Sequence, residues 1–138
     1  MRRLTSSVLF GVLAVLVMGS AAIMARSTDA ADQAQTSSKF AGAKANTGTV
    51  SYSQQGGRHM LTLSADFVTP DTPDPHWQVV DSTGVVYLLQ RIAIKDGKMN
   101  RSIVLPSYIR GVAKVQIWCA WAEANLGEAV FVTPISLN

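Results

Sequence analysis

Thr49-Val50-Ser51-Tyr52-Ser53-Gln54-Gln55-Gly56-Gly57, with the run Leu61-Thr62-Leu63-Ser64-Ala65-Asp66-Phe67 that follows, decides the fold class. Val50 and Tyr52 share one face of an extended chain. Leu61, Leu63, Ala65 and Phe67 alternate in the same way. Gln54-Gln55-Gly56-Gly57 joins the two runs, and a glycine pair between alternating segments predicts a β-hairpin.

Outward from this hairpin the same punctuation recurs. Thr69-Pro70-Asp71-Thr72-Pro73-Asp74-Pro75 holds prolines that exclude helix and break strand pairing, which predicts a rigid loop. His76–Val80 and Val85–Leu89 are short strands around the Asp81-Ser82-Thr83-Gly84 turn. Arg91–Ile94 continues the pattern, Lys95–Lys98 turns, and Arg101–Leu105 is a strand ended by Pro106. Ser107–Arg110 is expected as one helical turn closed by Gly111. Val115, Ile117, Cys119 and Trp121 then share one strand face, and Gln116, Trp118 and Ala120 share the other. Ala129–Val132 is the last strand expected. Strands spaced this regularly predict an all-β protein, a small antiparallel sandwich or barrel of about 7–9 short strands.

The N-terminus reads differently. Arg2 and Arg3 precede an uncharged, mostly apolar run from Val8 to Ala25, with small residues at Ser20-Ala21-Ala22 and Ala25 where a signal peptidase would cut. Residues 1–25 are therefore a helical signal peptide or a retained membrane anchor; the run is near the minimum length for spanning a bilayer. Both alternatives place the rest outside the cytoplasm: periplasmic, secreted, or anchored to the outer side of the inner membrane. Residues 26–46 are polar and Ala-rich without an apolar period, which predicts a flexible linker. Residues 47–138 form the domain. The chain has 12 basic against 9 acidic residues, but without Arg2 and Arg3 the balance is 10 against 9. So small an excess gives no footprint for nucleic acid. The partners expected are an envelope protein or a small ligand, and the membrane only if the N-terminal segment is retained.

The sequence holds one cysteine, Cys119, so an internal disulfide is excluded. The thiol is a buried apolar filler, a link to another chain, or a chemically used group. As a used group it is the candidate redox thiol. Trp118 and Trp121 flank it, either as core and edge aromatics or as a stacking wall for a planar cofactor. His76 opens a strand after the proline loop, either hydrogen-bonded to that loop or acting as an axial ligand or proton carrier. These three residues are the candidate cofactor-binding set. Haem is compatible with their residue types but unsupported by their spacing, so no cofactor is assigned. No pair of His or Cys residues has metal-ligand spacing. No hydrolase nucleophile signature and no phosphate-cradling glycine loop occurs. Glu123 and Glu128 are expected as a solvated rim, and Asp71 and Asp74 as caps of the proline loop.

Gly48-Thr49-Val50, Pro73-Asp74, Leu105-Pro106, Val115-Gln116-Ile117-Trp118-Cys119 and Gly127-Glu128-Ala129 follow one another in an order that resembles the DM-thirteen domain family, often labelled an electron-transfer domain. The likeness spans the whole predicted domain, and its most specific piece is the tryptophan–cysteine strand. It implies a β-rich, mostly extracytoplasmic domain whose cysteine, matched here by Cys119, takes part in redox or electron transfer. Such domains accompany DOMON and cytochrome-b-type modules, and no second module occurs in this sequence. The chain also departs from many relatives in carrying Thr72-Pro73-Asp74-Pro75-His76-Trp77, where they have Gly-Pro-Asp and an aliphatic residue.

Overall fold

A computed structural model of the protein describes residues 35–92, 94–95 and 98–138. The expected targeting or anchor segment, and the linker as far as residue 34, lie outside the described residues. Among the described residues there is no helix. The strands are β1 (Gln35–Thr36), β2 (Val50–Gln55), β3 (Arg58–Leu63), β4 (Pro75–Val80), β5 (Val86–Arg91), β6 (Ile94–Lys95), β7 (Lys98–Met99), β8 (Ser102–Val104), β9 (Gly111–Cys119) and β10 (Ala124–Ser136). They build two four-stranded antiparallel sheets, ordered β1-β2-β3-β8 and β10-β9-β4-β5, while β6 and β7 form a separate two-stranded ribbon.

The expected hairpin is the seed of the first sheet. Gln55 pairs with Arg58, so the loop is the two residues Gly56 and Gly57. Their φ angles of +54° and +76° are those of a type I′ turn, which requires left-handed backbone at both positions and so selects glycine. Tyr52 pairs with Leu61, and Leu61 with Ile103, which sets their side chains on one inner face. In the second sheet Trp77 pairs with Ile117, and Val79 with Val115, on the opposing inner face. These residues meet in one buried cluster, the two-layer arrangement of a β-sandwich.

Several elements differ from expectation for local reasons. The chain leaves β3 after Leu63 and turns, with the Phe67 N–H donating to the Ser64 carbonyl at 3.1 Å; Ala65 is exposed while Phe67 packs inward. Ser107 to Arg110 makes a tight turn rather than a helical one, closed by the Ile109 N–H on the Pro106 carbonyl at 3.1 Å. β10 is longer than the four residues expected; its register slips between Asn125 and Gly127 and again between Val130 and Ile135, so it carries no unbroken alternation.

The largest difference is at the start. The first described residues, Gln35–Thr36, already form a strand of the first sheet, within the segment expected as linker. Gln35 pairs with Tyr52, Ala41 exchanges both backbone hydrogen bonds with Glu128, and the Lys44 and Ala45 N–H groups both donate to the Leu126 carbonyl. Phe40 and Ala45 are buried. This strap closes one side of the sandwich, tying β2 to β10. It lies so close that a Cβ on Gly127 would stand 2.9 Å from the Ala45 carbonyl carbon and nearer still to its oxygen. Only glycine fits there.

Candidate functional site

The site grows from the end of β9. Pro75 pairs with Cys119, and His76 with Trp118, so alternation sends Cys119 to the inner face and Trp118 to the outer face with His76. β9 ends at Cys119, and Ala120–Glu123 form a four-residue hairpin turn before Ala124, with Glu123 at φ +50°. Trp121 therefore lies in that turn, 75% exposed, and not on the strand face assigned to it. The two indoles and His76 do not enclose the thiol: Trp118 and His76 lie across the sheet from it, and Trp121 points into solvent.

The proline loop closes over Cys119 instead. The Thr72 hydroxyl donates to Sγ at 2.9 Å, and the Ala122 N–H donates at 3.4 Å. The Ala120 N–H donates to the Asp74 carbonyl at 3.0 Å, which joins loop and hairpin turn directly. Cys119 has no solvent-accessible surface and belongs to the buried core cluster, with Thr72 and the hairpin turn covering its sulfur. Its donors hold the thiol below the ordinary value of 9.0. The Thr72 hydroxyl is the largest cause; desolvation opposes it, and backbone groups of Ala122, Asp74 and Trp121 add smaller lowerings. Among the described residues no cationic side chain hydrogen-bonds the sulfur. Arg91 reaches the covering loop, donating from Nη2 to the Pro73 carbonyl at 2.9 Å, whereas Arg101 binds the Ser64 carbonyl.

Beside Thr72 a cleft of ≈ 390 Å³ opens, lined by Thr69 to Thr72, Pro75, Arg91 and Ile92. Asp74 stands at its rim as more than a loop cap. Its Oδ1 accepts from His76 Nε2 at 3.1 Å and from Arg91 Nε at 3.2 Å. The second ring nitrogen of His76, Nδ1, is 2.9 Å from the Leu89 carbonyl oxygen. Both imidazole nitrogens are thus engaged with oxygen atoms of the chain. Among the described residues no three His, Cys, Asp or Glu side chains converge on a metal position.

The outer face of the second sheet carries a polar ladder that the strand pattern did not single out. Gln78 Nε2 donates to Gln116 Oε1 at 2.7 Å, Gln116 Nε2 donates to Glu128 Oε2 at 3.0 Å, and Lys114 Nζ lies 3.1 Å from the same oxygen. Glu128 is therefore half-buried in a network rather than on a solvated rim. The Gln116 amide chiefly, with Lys114, keeps its carboxyl below the usual 4.5, against desolvation. The hint in the sequence was Gln78 and Gln116, each set between two apolar neighbours. Thr72, the partner of the thiol, is an ordinary loop residue 47 positions from Cys119, with no local signal to mark it. No family model, no curated protein and no solved structure matches the chain.

Proposed function

We propose that this chain is an exported redox accessory of the DM-thirteen type, acting on an envelope partner through Cys119. One observation carries the reading: the sulfur accepts hydrogen bonds from the Thr72 hydroxyl and the Ala122 N–H. A cysteine retained only to fill apolar space needs no donors, whereas donors favour the thiolate, the nucleophilic form. The chemistry that follows is thiol–disulfide exchange. The Cys119 thiolate attacks one sulfur of a partner's disulfide, the S–S bond breaks, and the departing sulfur leaves with the electron pair as a thiolate. The chain has no second cysteine, so a thiol of the partner resolves the mixed disulfide. Thr72 covers the sulfur, so attack requires the proline loop to lift.

Alkylation of the purified protein, followed by mass against pH, tests this. Cys119 is expected to label in the native state, with a midpoint below 9.0 that rises toward it in Thr72→Val. Labelling confined to unfolded protein would overturn the reading. A second reading, a non-catalytic envelope module in which Cys119 is a core residue, is favoured by the ≈ 390 Å³ cleft beside the loop. Partner capture that survives Cys119→Ser in a folded domain selects it.

A further inference from the structure

The cleft beside the proline loop is small and carries both signs of charge. Its ≈ 390 Å³ lie near the lower end of the about 300–1,000 Å³ typical of small-molecule sites. Arg91 and Asp71 both line it, and both are exposed. They do not pair with each other, and among the described residues Asp71 enters no ion pair. Arg91 is already held in place. Its Nε lies 3.2 Å from Asp74 Oδ1, and its Nη2 donates to the Pro73 carbonyl at 2.9 Å. Those bonds use one edge of the guanidinium and fix its plane. The other edge keeps the N–H groups of Nη1 and the second N–H of Nη2, the fork that matches a carboxylate. The hydroxyls on the walls are engaged elsewhere: Thr69 donates to Met99 Sδ at 2.6 Å, and Thr72 to Cys119 Sγ at 2.9 Å. Pro70, Pro75 and Ile92 are buried and supply the apolar part of the lining.

We propose that this cleft binds a small zwitterion, with the ligand's carboxylate on the free edge of Arg91, its ammonium at Asp71 and its apolar body against Pro70, Pro75 and Ile92. A simple anion would bind Arg91 but be repelled by Asp71. A simple cation would bind Asp71 but be repelled by Arg91. A neutral ligand uses neither charge. Only a molecule carrying both charges answers both, which selects free amino acids and short peptides over sugars and simple ions. The two bonds from the loop hold the Arg91 side chain before the ligand arrives, so little of its freedom is lost on binding. Binding rests on the envelope-module reading of the cleft and needs no chemistry at Cys119.

Saturation-transfer NMR on the purified full chain tests it. The probes are L-leucine and ε-aminocaproate, which hold their charges close together and far apart. Each is set beside its singly charged analogues: isocaproate and isoamylamine for the first, caproate and hexylamine for the second. At least one zwitterion is expected to bind about fivefold more tightly than either of its analogues, the upper size of one exposed ion pair. Asp71→Asn should bring that zwitterion down to the affinity of its carboxylate analogue, and Arg91→Gln down to that of its amine. Failure of both zwitterions to bind, equal affinity for a zwitterion and its analogues, or an unchanged affinity in Asp71→Asn would each overturn the proposal. Asp71 is exposed and enters no ion pair among the described residues, so its variant decides alone if Arg91→Gln does not fold. Partner capture that survives Cys119→Ser while no zwitterion binds would strike the ligand class and leave the envelope-module reading standing.

Discussion

Gly127→Ala is the sharpest probe of how the sandwich is closed. The new methyl would stand 2.9 Å from both the carbonyl carbon and the Cβ of Ala45, with the Ala45 oxygen nearer still. The opposing atoms are mostly backbone, so no rotamer change relieves the clash. Two responses are open. The strands can shift to admit the methyl, at the upper end of the roughly 1–3 kcal/mol typical of overpacking. Alternatively the strap can detach. Detachment exposes Phe40, worth about 1.5–3 kcal/mol of burial. It also breaks the Ala41–Glu128 pair and the two bonds to Leu126, at about 0.5–1.5 kcal/mol net each. Against these losses the freed residues recover about 1–2 kcal/mol of backbone entropy apiece. The cheaper response sets the cost, and we expect about 2–4 kcal/mol. Urea unfolding followed by tryptophan fluorescence should show a midpoint lower by about 2 M, given a slope near 1–1.5 kcal/mol/M for a domain of this size. A reduced slope would identify detachment, because less surface remains to be exposed. A midpoint within about 0.3 M of the parent, at unchanged slope, would refute the claim that the strap is pinned at Gly127.

The three tryptophans should separate by depth. Trp77→Ala, at a fully buried side chain, is expected to cost about 3–5 kcal/mol, half-buried Trp118→Ala about 1–2, and exposed Trp121→Ala under about 0.5, all read from denaturation midpoints; an equal loss at Trp118 and Trp77 would place Trp118 in the core. Glu128→Gln addresses the polar ladder. Because the folded-state value lies below the ordinary 4.5, the stabilisation is complete above pH 4.5 and is lost as pH falls through the lowered value. The gap in melting temperature between parent and variant should therefore be full at pH 7 and close as pH falls through that lowered value; a gap independent of pH would show that the carboxylate charge is not what the ladder uses.

The parts legible in the sequence are those whose causes are local. Gly56-Gly57 announces its own turn, and the alternation of Val115, Ile117 and Cys119 places the thiol inward before any tertiary contact is known. Trp121 was misplaced because the apolar alternation runs one step past the point where β9 gives way to a turn. Nothing about Ala120 marks that boundary. The strap was missed because Phe40 and Ala45 are isolated apolar residues in a polar stretch. Their burial comes from pairing with β10, and an irregular segment has no period to detect. The site was half visible. Cys119, His76 and the proline loop could be named, whereas the Thr72–Cys119 bond and the double engagement of Asp74 arise only when distant segments meet.

The closure of the strap on β10 also carries a kinetic consequence. The hydrogen bond from the Val130 N–H to the Ser38 hydroxyl joins residues 92 positions apart, so the earliest part of the domain is completed by nearly the latest. Closing so long a loop comes late, after its entropy has been lost without reward from local contacts. Until β10 arrives, Phe40 has no cover and the edge of β9 is open to other chains. The domain should therefore fold in one slow step, with Gly127→Ala accelerating unfolding far more than it slows folding.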